Sequence, residues 1–223
     1  MYEVAARDDV QGEKRALREE MRRLRAAVTP AAARLAGDCA ASLLATHLDR
    51  EDEAGRAGIR IALLYAPLPG ELDTALIDEL LRSRGTAIAY PRVDGDLLRL
   101  HFAAPSDLVR GRFAIAGPPS HLPSVAAGDL DLVLVPALAF DRRGHRLGFG
   151  RGFYDRLLAA APAATRLGAC LPHQLVPRLP DEPHDVAVDF ILVGAPPERG
   201  GDLIATQVRA TQPGRAVPSK ENH

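Results

Sequence analysis

The unbroken apolar run Leu132-Val133-Leu134-Val135, closed by Pro136, constrains this chain more than any other stretch. A strand apolar on both faces belongs inside a parallel sheet covered on both sides, not in a half-solvated antiparallel one. Glycines follow at 144, 148, 150 and 152, and Phe153 to Ala160 then carries the apolar face of a helix. Strand, glycine-rich loop and helix start aim backbone N–H groups and the positive end of a helix dipole at one point, where anions bind. Arg143, Arg146 and Arg151 add charge to the loop, and Asp155 stands at the helix opening. A bare glycine turn needs no ligand, because one or two glycines serve any positive-φ turn. Alternating glycines among three arginines and an acid point to phosphate instead. The loop is not a Walker A loop, since no Gly-Lys-Ser/Thr follows. Nor is it a dinucleotide fingerprint, since its spacing is GxGxG and it lies far from the first strand.

The 223 residues suffice for one domain with a three-layer core. A formal net charge of −1 excludes a global field that would hold nucleic acid or an anionic membrane. No apolar run approaches a membrane span and the charged opening, MYEVAARDDVQG, lacks a secretory h-region, so the expectation is a cytoplasmic protein. Cys39 and Cys170 fit no motif and read as small core residues in a reducing compartment. Only two of the 28 basic residues are lysines, Lys14 and Lys220.

Residues 13–28 form a helix with Leu17, Met21, Leu24 and Val28 as one apolar stripe. Lys14, Arg18, Arg22 and Arg25 recur at the same spacing as a second, basic stripe. Most such stripes are solvated faces, here balanced by Glu13, Glu19 and Glu20. A lone lysine in an arginine-writing chain favours a working role, because a compact flexible ammonium suits a phosphate. Thr29-Pro30 starts a second helix, running to about Leu48, with Leu35, Cys39, Leu43 and Leu44 as its buried face. Residues 59–65 form a strand, 66–74 a loop, about 73–84 a helix and 86–91 a second strand, parallel to the first. The loop APLPGELDT lies at a strand's carboxyl end, the edge where open α/β sheets bind ligands, and Glu71 is its acid before the helix. Glu71 either complements the dipole of that helix or holds a polar substrate group.

LLRLHF (97–102) and FAIAG (113–117) read as a strand pair, and His101 and His121 as structural or surface residues. RLGAC (166–170) and DFILV (189–193) are two further strands. The polar stretch between them carries His173, His184, Asp181 and Asp185, and it leads to Asp189. Asp155 with one of these acids and phosphate oxygens would suit magnesium. The domain is expected over 13–195, with 1–12 and 196–223 as flexible termini, although DLIATQVRA (202–210) is able to make a short helix or strand.

Five pieces, in this order, carry a resemblance: KRALR (14–18), PGELDT (69–74), AYPRV (89–93), VPALAFDRRGHRLGFGRGFYDRLL (135–158) and HQLVPRLPDEPHDVAVD (173–189). Over about residues 13–193 the chain resembles the 5-formyltetrahydrofolate cyclo-ligase family. The resemblance implies a three-layer α/β/α fold with a mostly parallel sheet, like the ribose-phosphate isomerase and CoA transferase group. It also implies ATP- and magnesium-dependent cyclisation of 5-formyltetrahydrofolate to 5,10-methenyltetrahydrofolate, releasing ADP and phosphate; apart from the resemblance, the chain is expected to be a monomer without nucleic-acid or membrane partners. Lys14, Arg15 and Arg18 would contact ATP, together with the loop Arg146, Leu147, Gly148, Phe149, Gly150, Arg151, Gly152, Phe153 and Tyr154. Lys14, Arg146 and Arg151 would serve catalysis. Ala66 and Glu71 would bind the folate, with Phe149 to Phe153 on its other side. Asp155 and Asp189 would hold magnesium, with Asp185 as the alternative to Asp189. Phe153 departs from a usual tyrosine and Val193-Gly194 from a usual Thr-Glu pair, and the tail lies outside the pattern.

That reaction needs a phosphoryl donor placed in line and its charge neutralised, which a glycine loop, a lysine, arginines and magnesium supply. It needs no protein nucleophile, and the chain shows no Ser/His/Asp or Cys/His set. Rival readings are a paralogue acting on another small molecule, a non-catalytic binding module and a sugar-phosphate isomerase. Glu71, the intact glycine loop and the Lys14 helix weigh against these in turn.

Overall fold

The computed structural model describes residues 2–112, 115–182 and 185–206, with backbone alone for 2–9 and 197. His184, the start of FAIAG, and the tail from 207 that includes Lys220 lie outside the described residues. Two long helices open the chain, α1 (Tyr2–Ala26) and α2 (Pro30–Glu53). A βαβ unit follows, made of β1 (Ile61–Leu63), α3 (Ala75–Ser83) and β2 (Ala87–Asp94), and β3 (Leu97–Phe102) turns back on it. After a small β4/β5 ribbon (Val109–Arg110, Ala116–Gly117) come β6 (Leu132–Val135), the hairpin β7 (Ala139–Asp141) and β8 (Arg146–Leu147), and α4 (Phe153–Ala160). The chain then forms β9 (Thr165–Cys170), β10 (Leu175–Val176), β11 (Phe190–Val193) and β12 (Asp202–Ala205).

The main sheet has the order β12-β11-β9-β6-β1-β2-β3. Its inner pairings are all parallel, and only β3 and β12, at the two edges, are antiparallel. The Leu132–Val135 run therefore occupies the sheet interior, fully buried, as its two-faced apolarity requires. Strand periodicity sorts the core. Leu64, Ile88, Leu132 and Leu134 pack with α2 and α3 on one face, while Leu63, Ala89, Val133 and Val135 pack with Leu157 and Leu158 of α4 on the other. Helices on both faces give the three layers expected. Pro91, inside β2, has no N–H to offer; β1 ends opposite Ala89, so none is missed on that side.

Four sequence expectations shift. The first helix starts at Tyr2, well before residue 13. Helix α2 runs past Leu48 to Glu53, and its buried face is Ala33, Ala36, Gly37, Ala40, Ala41 and Leu44, while Leu35 is 52% exposed. Small residues face inward because α2 lies close to the loop before α3; a Cβ at Gly37 would stand 2.2 Å from the carbonyl oxygen of Asp73. The stretch 202–205, expected as a short helix or strand, is an edge strand paired in register with β11, so ordered structure extends past residue 195. Finally, strand, loop and helix are not directly joined: the β7–β8 hairpin intervenes, and Gly144 (φ 96°) and Arg143 belong to its turn.

Candidate functional site

A cleft of about 590 Å3 opens where β1, β6 and the glycine loop end and α1 crosses them. It is the carboxyl edge of the sheet, where the loop after each parallel strand is free to carry ligand-binding groups. Helix α1 is brought there by its apolar stripe: Leu17 and Met21 pack with Leu138, Ala139, Leu147 and Leu179, although Leu24 remains exposed. The basic stripe on the same helix then faces the cleft through Lys14, Arg18 and Arg25. Arg22 and Arg15 do not line it, and Arg15 is exposed. Its neighbour Lys14 points into the cleft, and adjacent residues on a helix diverge by about 100°.

Two ends of the cleft differ in chemistry. At one, the Lys14 ammonium (residue 5% exposed) donates to Glu182 Oε2 at 2.8 Å and to Asp185 Oδ2 at 2.7 Å. Burial by itself would lower the pKa of the amine, but these bonds and charges outweigh it and leave it raised. Glu182 also accepts from Gln11 at 2.7 Å, and Asp185 Oδ2 accepts the Glu182 backbone N–H at 2.9 Å. Arg18 Nε donates to the carbonyl of Gly148 at 3.0 Å, fastening α1 to the glycine loop. Arg146 is nearly enclosed; it donates to the Val186 carbonyl and to Asp155 Oδ1. Desolvation lowers its pKa, with Asp155 and Asp185 pulling the other way. The loop itself has Gly150 at φ 95° and Gly152, the N-cap of α4, at φ 64°, left-handed conformations that keep its backbone close to any bound anion.

At the other end stands Glu71, 6% exposed. Its carboxylate accepts from the Leu68 N–H at 2.9 Å and from Arg25 at 3.4 Å. Burial pushes its pKa up to about 7 against those two partners. Tyr65, at the end of β1, and Tyr154 share this desolvated region, where burial raises both phenols well above their usual value. The Tyr154 hydroxyl is buried with no hydrogen-bond partner among the described residues. Pro91, Val93, Leu98, Ile115, Phe149 and Phe153 give this end apolar walls, and Arg25 stacks 5.1 Å from the Phe149 ring. Gly70 (φ 80°) brings the Glu71 loop against α1: a Cβ there would stand 2.3 Å from the carbonyl oxygen of Arg25.

Of the expected site residues, Lys14, Arg18, Ala66, Glu71, Arg146 to Tyr154 and Asp155 all line this cleft. Asp189 and Arg143 do not. Asp189 sits at the start of β11, the far edge of the sheet, and accepts the Arg166 N–H at 2.9 Å. Asp131 holds Arg60 and Ile61 N–H groups in the same way at the start of β6. Arg143 is tied to the fully buried Asp141 and to Asp181, each at 2.8 Å, and steadies the β7–β8 turn. Asp185 is the acid that reaches the cleft instead. Sequence reading passed over Glu182, Gln11, Tyr65 and Arg25 as site residues. The stripe spacing already held Arg25, whereas Glu182 gave no signal beyond lying in an acid-rich segment.

The geometry has counterparts. The sequence model of the 5-formyltetrahydrofolate cyclo-ligase family matches residues 10–194. The chain is 39% identical over 152 residues to a 5-formyltetrahydrofolate cyclo-ligase of Mycolicibacterium smegmatis, covering 63% of this chain and 75% of that one. It is 34% identical over 136 residues to that of Escherichia coli K12, covering 58% and 75%. In three dimensions it is similar to the NMR structure of Aquifex aeolicus 5,10-methenyltetrahydrofolate synthetase, with TM-score 0.70 and 28% identity over 94% of this chain and 97% of that one. The chain belongs to the 5-formyltetrahydrofolate cyclo-ligase family.

Proposed function

We propose that this chain cyclises 5-formyltetrahydrofolate to 5,10-methenyltetrahydrofolate at the expense of ATP, with magnesium, and releases ADP and phosphate. The observation that carries the reading is a single cleft with a cationic glycine loop at one end and a desolvated carboxylate between apolar walls at the other. An N-formyl group is a poor electrophile because its nitrogen donates into the carbonyl. Transfer of the γ-phosphoryl group to the formyl oxygen turns that oxygen into a leaving group. N10 of the folate then attacks the formyl carbon and gives up its proton to water or the departing phosphate, the C–O bond to phosphate breaks, and the methenyl bridge closes. Lys14, Arg18, Arg146 and the N–H groups of residues 148–152 bind and orient the triphosphate and meet the charge that builds on the transferring phosphoryl group. Glu71, when ionised, accepts N–H groups of the folate ring, and the Tyr154 hydroxyl is free to bond the same substrate. Closing Phe149 and Phe153 around the ring keeps water from the activated formyl group.

Magnesium suits the residues present. Asp155 and Asp185 line the phosphate end, and no cluster of three His, Cys, Asp or Glu residues among the described residues offers a ready-made protein cage. A cation that takes one or two carboxylates and fills its shell with phosphate oxygens and water fits such a site. When bound, it would neutralise charge on the phosphates. The defining test is to mix the protein with 5-formyltetrahydrofolate, ATP and magnesium and follow the methenyl absorbance. Product that requires both ATP and magnesium supports the reading; ATP binding without product moves it to a different small-molecule substrate.

A further inference from the structure

Arg156 stands outside the cleft, yet it touches the glycine loop from behind. A second groove, of about 570 Å3, runs between β3, residues 124–127 and α4, and Leu98 and Phe153 line both groove and cleft. Arg156 lines the groove and not the cleft, whereas Arg151 and Gly152 line the cleft and not the groove. From the first turn of α4 the Arg156 side chain runs back toward the helix start, as helical side chains do. Its Nη2 donates to the Arg151 carbonyl at 3.0 Å and to the Asp96 carbonyl, in the turn between β2 and β3, at 2.7 Å. The guanidinium lies 5.5 Å from the Phe153 ring centroid, and a Cβ on Gly152 would stand 2.9 Å from Nη1. The C=O and N–H of a trans peptide point in opposite directions, so a carbonyl drawn to the groove side sends the next N–H to the cleft side. The Arg151–Gly152 peptide is able to turn over, because Gly152, at φ 64°, tolerates either sign of φ. Resting on the nucleotide reading above, we propose that Arg156 is a positioning residue: it locks this peptide with the Gly152 N–H aimed at the bound triphosphate. The Asp96 bond ties the guanidinium to the main sheet and the Phe153 ring supports its plane, so the lock is anchored outside the peptide it holds. Arg156 itself is exposed, so its loss falls on the loop rather than on the fold.

Isothermal titration of ATP with magnesium into the full chain, and steady-state kinetics, compare wild type with Arg156→Ala and Arg156→Lys. Arg156→Ala should bind ATP about fivefold more weakly and turn over about tenfold more slowly, with KM for 5-formyltetrahydrofolate within about twofold and an unchanged melting temperature. The loss should persist in about 0.5 M KCl, where attraction by a distant charge is screened. Arg156→Lys keeps the charge without the planar fork and should recover only part of it. In isotope-labelled wild type the Gly152 amide resonance should shift when ATP is added, and in Arg156→Ala that shift should shrink. Arg156→Ala that binds ATP and turns over as wild type does would overturn the lock and leave the nucleotide reading standing. Complete recovery by lysine, or a loss that vanishes in salt, would overturn it as well, since a bare charge would then suffice. No ATP binding by wild type would overturn the lock together with the nucleotide reading beneath it.

Discussion

The two ends of one cleft solve opposite problems with the same kinds of residue. At the phosphate end, Lys14 lies in direct contact with Glu182 and Asp185, and Arg146 with Asp155. At the folate end, Glu71 has one backbone donor and a longer Arg25 contact, and burial leaves its proton half-held near neutral pH. Paired charge can be exchanged for a ligand's charge at little net cost, which suits an anionic cosubstrate that must come and go. A desolvated carboxylate is costly to leave ionised and unpartnered, so it rewards a ligand that brings N–H donors. On the proposed function, one end would select by charge exchange and the other by hydrogen bonding in a dry pocket.

Removing the phosphate-end cation should have the largest effect. Lys14→Ala is expected to lower turnover about 100- to 1000-fold, the loss typical of one removed electrostatic donor. Its melting temperature should hold, and unfolding would make Lys14 a structural residue instead. Glu71→Gln should raise KM for 5-formyltetrahydrofolate about tenfold or more and leave KM for ATP unchanged; equal changes in both would erase the distinction between the ends.

The pH response sharpens that distinction. The pKa of Glu71 near 7 lies above its value in the unfolded chain, so folding holds the proton, and ionising it costs stability as pH rises toward 7. If ionised Glu71 binds the folate as proposed, binding should strengthen as pH rises through about 7, and Glu71→Gln should flatten that profile. A wild-type KM for the folate that stays level from pH 6 to 8 would remove Glu71 from substrate binding. Asp189→Asn is expected to cost about 1–3 kcal/mol of stability through its bond to Arg166 and to leave ATP binding intact. Arg15→Ala should change neither KM beyond about twofold, since exposed positions away from the cleft rarely matter more.

Much of this was legible in the chain before folding was considered. The two-faced apolarity of Leu132–Val135 required an interior parallel strand, and helical spacing placed Lys14, Arg18 and Arg25 on one face. Local chemistry set Thr29-Pro30 as a helix start and Phe153–Ala160 as a helix after left-handed glycines. These are short-range effects of backbone sterics and side-chain period, and they act wherever such residues occur. Only tertiary structure decided which acid meets which base. Asp185 and Asp189 lie four residues apart in one polar stretch, yet one enters the cleft and the other caps the far end of β9. Arg143 and Arg146 flank one hairpin turn, and only Arg146 reaches the site. The hairpin turns Arg143 back onto Asp141, a contact that hydropathy does not encode. Charge pairing depends on distances across separate segments of chain, and those distances exist only once the sheet has brought the segments together.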